Sequence, residues 1–154
     1  MLLNLAFLPT HTRNHNQILL NGYQLLIIMT KLFPLVFRCQ ATGDLIGYAG
    51  ISSISVLNRS GEYFILIGNK QYWGKGIATE VTKRITDYGF KTLGLHRIEL
   101  TAFVNNQSAI RAYAKAGYKH EGIKRQSGYR NGQFLDKVQM ATLCHEWLAI
   151  SEEV

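Results

Sequence analysis

Residues 65–81 read ILIGNKQYWGKGIATEV. An apolar run leads into a turn in which Gly74 and Gly76 flank Lys75, and Ile77 and Val81 then open a helical spacing. Glycine at both positions leaves backbone N–H groups with little steric cover, and the following helix adds the positive end of its dipole. Such a turn binds phosphate well. It can equally be a bare geometric link between a strand and a helix. The Gly-Lys-Ser/Thr ending of a Walker loop is absent, as is a GxGxxG fingerprint.

Working outward, EYFILIG (62–68) reads as the strand that feeds this turn, and its apolar end predicts burial on both faces. Upstream, LVFRCQ (35–40) and DLIGYAGISSISV (44–56) read as strands joined by a turn at Ala41–Asp44, with another turn at Asn58–Gly61. Downstream, Ile77, Val81, Ile85 and Tyr88 keep a helical period until Gly94. HRIELTAFV (96–104) then alternates, with Ile98, Leu100, Ala102 and Val104 on one face. NNQSAIRAYAKAGY (105–118) has capping residues at its start and Gly117 near its end, a short helix. In EGIKRQSGYRNGQFLDKVQMATL (121–143), Asn131-Gly132 between strand-like arms signals a hairpin. Arg125 and Asp136 fall on opposite arms, where the simplest reading is a cross-strand ion pair. The fold class expected is α/β (α+β): a mixed, mostly antiparallel sheet with a central strand–turn–helix crossover and a C-terminal hairpin.

The chain has 154 residues, 47% hydrophobic and 18% charged, which is globular and the size of one domain, 1–154. A net charge of +7 favours anionic partners. Apart from pairs such as Lys83-Arg84 and Lys124-Arg125, the cations are scattered singly, which weighs against a nucleic-acid reader. Cys39 and Cys144 stand apart without ligand spacing, so no disulfide framework and no metal site is expected. His11 and His15 have no acidic or sulfur neighbour and read as part of a polar segment. Met1–Leu8 lacks a basic flank and a small-residue cleavage site, and Leu25–Met29 is too short to span a bilayer. A cytoplasmic protein without a membrane partner is expected.

ILIGNKQYWGKGIATEV followed by NNQSAIRAYAKAGYKHEG resembles the GNAT superfamily of acetyl-CoA-dependent N-acetyltransferases, in the branch of ribosomal-protein N-terminal (Rim-type) and spermidine acetyltransferases. The resemblance covers about residues 45–143. The superfamily's pyrophosphate loop, Gln/Arg-x-x-Gly-x-Gly/Ala, fits in two registers, from Gln71 or from Trp73, and spacing favours Trp73-x-x-Gly76-x-Ala78. The resemblance implies that acetyl-CoA is the co-substrate. Amides of Gly74, Lys75, Gly76, Ile77 and Ala78 would cradle its pyrophosphate, with the Lys75 side chain adding charge at the rim or standing as a solvated lysine. It also implies a strand before the loop, Ile65–Gly68 and so Leu66, Ile67 and Gly68, that splays from its neighbour and pairs with the pantetheine arm.

Asn106 and Tyr113 match the family's Asn-x-x-Ala/Ser-Ile-x-x-Tyr/Leu-x-Lys-x-Gly-Phe/Tyr pattern. Asn106 reads as a cofactor contact or as a helix cap. Tyr113 reads as a general acid for the departing thiolate, its bland alternative being a core tyrosine. Glu62 aligns with a common acidic residue and reads as the base that takes the amine proton or as an exposed strand-end carboxylate. Glu80 reads as a feature of the helix dipole, and His120 as a surface histidine. The acceptor expected is a primary amine. A protein N-terminus comes first because an α-amine titrates near 8, whereas polyamine and lysine amines, near 10, come second.

Family members usually begin with a strand and two helices, and those helices wall the acceptor pocket. Here the first acidic residue is Asp44 and no helical pattern is found in 1–33, a divergent or shortened segment. Two other readings follow: a protein that binds acetyl-CoA without transferring it, and a basic RNA-associated protein. The apolar surface of 1–33 also suggests a homodimer.

Overall fold

The computed structural model describes the backbone of residues 17–20, 23–28 and 35–152 and the side chains of 35–149. Its strands are β1 (Gln17–Leu20), β2 (Tyr23–Ile28), β3 (Leu35–Cys39), β4 (Leu45–Ser55), β5 (Ser60–Ile67), β6 (Arg97–Phe103), β7 (Lys119–Arg130) and β8 (Gln133–Leu143). They form an eight-stranded sheet in the order β1-β2-β3-β4-β5-β6-β8-β7. Every neighbouring pair is antiparallel except β5 with β6. The helices are α1 (Ile77–Lys91), α2 (Gln107–Lys115) and α3 (Cys144–Glu152). This is the mixed, mostly antiparallel sheet with a strand–turn–helix crossover that the sequence predicts.

The core lies between the sheet and α1. Ile98, Leu100 and Ala102 of β6 are buried at alternate positions, facing Ile77, Val81 and Ile85 of α1 within one cluster. Thr82 and Thr86 are also fully buried on α1, on the face that the apolar period marks. Asn131 (φ 52°) and Gly132 (φ 77°) are both left-handed, as a two-residue hairpin turn between β7 and β8 requires.

Four features differ from expectation. The first lies in the divergent segment, where β1 and β2 pair antiparallel and extend the sheet beyond β3. Met1–Leu8, His11 and His15 lie outside the described residues. The second is the end of β5, which is not buried on both faces: Leu66 is 51% exposed and Phe64, Ile65 and Ile67 are half-buried. The reason is a gap in the sheet, described below. The third concerns Asp136, which does not pair with Arg125; its Oδ1 accepts from the backbone N–H of Gln126 at 2.7 Å. Gln126 has φ 50° at an irregularity between Lys124 and Gly128, so the carboxylate satisfies a bulge that the sequence pattern hides. The fourth is α3, which follows β8 directly. Trp147 seals the end of the core against Phe90, ring centroids 6.1 Å apart, and its indole N–H donates to Asp87 at 3.1 Å.

Ile98 is 0% exposed at the centre of this core. Ile98→Ala should lower the unfolding free energy by about 2–5 kcal/mol, read from the urea midpoint at unchanged slope. A loss below about 1 kcal/mol would mean that β6 does not pack under α1.

Candidate active site

β5 pairs with β4 along nearly its whole length, from Ser60 to Ile67. It pairs with β6 only at Ser60–Arg97, Gly61–Ile98 and Glu62–Glu99. Beyond Glu99, β6 continues with β8 alone as far as Phe103–Lys137. A wedge therefore opens between β5 and β6 from Tyr63 onward. Gly68 donates its N–H to Ile46 O at 3.0 Å, which by the alternation of an antiparallel ladder turns the Leu66 amide to β4 as well. Ile65 and Ile67 consequently direct their main-chain groups into the wedge. One of them is used: Ile67 C=O accepts from the Trp73 indole N–H at 3.0 Å. The Leu66 side chain lies on the far face of the sheet, cross-strand from Tyr48.

The wedge leads into the loop. A 3₁₀ turn, Lys70–Tyr72, is capped by Asn69, whose Oδ1 accepts from Gln71 N–H at 3.0 Å. Tyr72 is buried, donates its hydroxyl to Asp44 Oδ2 at 3.1 Å, and lies under Lys75 Nζ at 5.4 Å. Lys70 Nζ stands 5.8 Å from the ring of Trp73, which is 57% exposed. Gly74 (φ 72°) and Gly76 (φ 78°) both need the left-handed region. A Cβ on Gly74 would meet open space, so conformation and not crowding demands glycine there. Gly76 is the N-cap of α1, and the first helical amide to bond within the chain is Glu80 N–H, to Gly76 O at 3.2 Å. The amides of Ile77, Ala78 and Thr79 before it have no intrahelical acceptor. The Ile77 side chain is buried and pins the turn to the core. Glu80, the only acidic residue of the first turn, is engaged by Arg84 at 3.1 Å, so the two lysines and the dipole leave the loop electropositive.

Asn106 caps α2, its Oδ1 accepting from Ala109 N–H at 3.3 Å and from Ser108 Oγ at 3.0 Å. The cap therefore uses the oxygen and leaves the amide nitrogen at the exposed helix start. Tyr113 packs edge-on against Tyr63 (6.2 Å between centroids, 82°) and against Tyr118 (6.4 Å). The hydroxyls of Tyr63 and Tyr118 are hydrogen-bonded to Thr82 and Thr86. That of Tyr113 has no hydrogen-bond partner among the described residues. Tyr113 is also the most accessible of the three, 8% exposed against 2% and 3%. Burial pushes its pKa up to about 12, so it is a neutral proton donor across the physiological range.

Glu62 lies beside Tyr63 in β5, so its side chain points to the opposite face of the sheet from the tyrosine cluster. It stands next to Glu99, at the last pair before the wedge. Arg97 holds Glu99 Oε2 through Nε at 3.2 Å and Nη2 at 2.9 Å. It also holds both oxygens of Glu121, at 2.8 and 2.6 Å, and these bonds lower the Glu121 pKa. Glu62 has no ion pair among the described residues. Tyr113 thus borders the start of the wedge through its contact with Tyr63, and Glu62 lies on the opposite face of β5. His120 is exposed on β7, as expected of a surface histidine. Sequence reasoning missed Tyr63, Tyr118, Thr82, Thr86 and Arg97. The available signal was the pair of threonines at helical spacing inside the apolar stripe of α1.

A family model described as an acetyltransferase (GNAT) domain matches residues 9–119. The spermidine N(1)-acetyltransferase of Escherichia coli (strain K12) is 33% identical over 113 residues, covering 73% of this chain and 60% of that protein. The enzyme of the same name from Vibrio cholerae is 34% identical over 112 residues, covering 73% of this chain and 64% of that protein. The chain thus spans less than two thirds of the length of these relatives. Among solved structures, mutant forms of the spermidine/spermine N-acetyltransferase SpeG from Vibrio cholerae superpose with a TM-score of 0.71 at 29% identity, over 85% of this chain and 70% of that one. No helix among the described residues is long and apolar enough to cross a membrane, and no group of three metal-ligating side chains occurs among them. The match to the family model, carried on a splayed sheet and a glycine loop at a helix start, shows that this chain belongs to the GNAT acetyltransferase family.

Proposed function

We propose that the chain transfers the acetyl group of acetyl-CoA to a primary amine by direct attack in a ternary complex. The observation that carries this reading is the unpaired edge of β5 leading straight into the electropositive glycine loop. The pantetheine arm, an extended chain with amide groups, would complete the sheet against Ile65 and Ile67. The pyrophosphate would take the amides from Gly74 to Ala78, and the Asn106 amide nitrogen would add a polar contact. Lys70 and Lys75 supply charge at the rim.

The amine lone pair attacks the thioester carbonyl carbon from the Glu62 side, giving a tetrahedral oxyanion that a wedge-facing amide of β5 stabilises. The C–S bond then breaks, and the thiolate takes the Tyr113 proton on the other side of β5. The nitrogen passes its surplus proton to Glu62, directly or through water. The two residues regain their starting protonation through solvent.

For the acceptor, the Glu62 carboxylate, which has no ion pair among the described residues, favours a cationic small amine, and the relatives named spermidine acetyltransferases support the same class. A polyamine therefore ranks first here and a protein N-terminal α-amine second. Thiol release with spermidine and with an unblocked peptide, each against acetyl-CoA, tests the choice. Acetyl-CoA binding without thiol release from any amine would instead favour a protein that binds the cofactor only.

Tyr113→Phe should lower kcat by about 10²–10⁴-fold with acetyl-CoA affinity unchanged; unaltered turnover removes the general acid. Gly76→Val puts a β-branched residue where φ is 78°, at a cost of about 1–2 kcal/mol, and covers the loop amides. It should raise the acetyl-CoA Kd by at least about tenfold in calorimetry, and normal affinity would reduce the loop to a turn. Because burial favours the protonated form of Tyr113 up to about 12, kcat should rise with pH as the amine deprotonates and should not fall between pH 8 and 10. A descending limb in that window would mean that a different acid protonates the thiolate.

A further inference from the structure

A helix that only roofs a sheet would carry Val or Ile at positions 82 and 86, because buried threonine adds a hydroxyl that must be satisfied. Here both threonines are 0% exposed, one turn apart on α1. Each meets a different tyrosine: Thr82 Oγ1 lies 3.0 Å from the Tyr63 hydroxyl, and Thr86 Oγ1 lies 2.8 Å from that of Tyr118. Thr82 also stands 2.6 Å from Ala78 O. Threonine has one hydroxyl proton and the carbonyl can only accept, so Thr82 donates to Ala78 and the Tyr63 hydroxyl donates to Thr82. The Tyr63 ring is thereby fixed in direction as well as in place. A third link joins the first turn of α1 to α2 beside Tyr113, from Thr79 Oγ1 to Ala112 O at 3.4 Å.

The three rings touch one another, with Tyr63 and Tyr118 centroids 6.3 Å apart. Tyr113 is held by two rings whose hydroxyls are both tied, while its own hydroxyl is left over. We infer that Tyr63 and Thr82, seconded by Tyr118 and Thr86, are positioning residues that set the Tyr113 hydroxyl for proton delivery. They register it on the same helix whose first turn faces the cofactor phosphates. This inference rests on the acetyl-transfer reading and on Tyr113 as its acid. In that arrangement neither Tyr63 nor Thr82 touches the cofactor. Loss of either hydroxyl leaves the fold and the loop intact and lets the Tyr113 ring turn.

The test is steady-state thiol release from acetyl-CoA, with spermidine and with an unblocked peptide as acceptors. Tyr63→Phe, Thr82→Val and Thr82→Ser are each made in the parent and in the Tyr113→Phe background. Tyr63→Phe and Thr82→Val should each lower kcat roughly 10–100-fold, the scale of misplacing a reacting group by about an ångström, with the acetyl-CoA KM within about twofold. Thr82→Ser, which keeps the hydroxyl, should recover most of the rate. In the Tyr113→Phe background neither change should slow the reaction further. An equal loss in both backgrounds, or no loss in the parent, overturns the inference while leaving Tyr113 as the acid. Full activity of Tyr113→Phe, or no thiol release by the parent with either acceptor, overturns the acetyl-transfer assignment and this inference with it.

Discussion

Parallel pairing between β5 and β6 ends at Glu62–Glu99, and the rest of the site follows from that break. Each strand is committed on its other side, β5 to β4 and β6 to β8, so neither can turn to close the gap. The break leaves main-chain donors and acceptors of Ile65 and Ile67 facing a cleft instead of a strand. Backbone groups of sheet residues are usually paired in a folded chain, and beyond the Ile67 carbonyl, which takes the Trp73 indole N–H, an extended amide-bearing ligand would be a natural partner. The same break explains why an apolar stretch such as Phe64–Ile67 is half-exposed.

One helix then serves three ends. α1 covers the core through Ile77, Val81 and Ile85, offers free amides at its first turn, and carries the threonines that hold Tyr63 and Tyr118. Charge is arranged with similar economy. Arg97 neutralises Glu99 and Glu121 together, and Arg84 engages Glu80. Glu62 has no ion pair among the described residues and stands beside the break, on the opposite side of β5 from Tyr113. In the proposed reaction, an incoming amine and a departing thiolate would have separate approaches to the same carbonyl.

Much of this was legible in the residues. β6 announces itself by strict alternation, α2 by Asn106 and Gly117, the hairpin by Asn131-Gly132, and the loop by its two glycines before a helical period. The antiparallel pair β1–β2 was not, because short apolar runs such as QILL and YQLLII have no period that separates strand from helix. α3 starts without a glycine, proline or capping break after Leu143, so the strand pattern runs into it unmarked. Asp136 looked like an ion-pair partner because a bulge at Gln126 cannot be read from alternation. Thr82 and Thr86 carry no such mark, since a pattern of apolar letters cannot show that a hydroxyl is buried against a tyrosine.

Amide hydrogen exchange, residue by residue, with and without saturating acetyl-CoA, tests the central claim most directly. The account predicts new protection at Ile65 and Ile67, which face the wedge, and at Ile77, Ala78 and Thr79 in the first turn of α1. Leu66 and Gly68, already bonded to β4, should change little. Binding that leaves Ile65, Ile67 and the first-turn amides unprotected, or no binding by the folded chain, would contradict it.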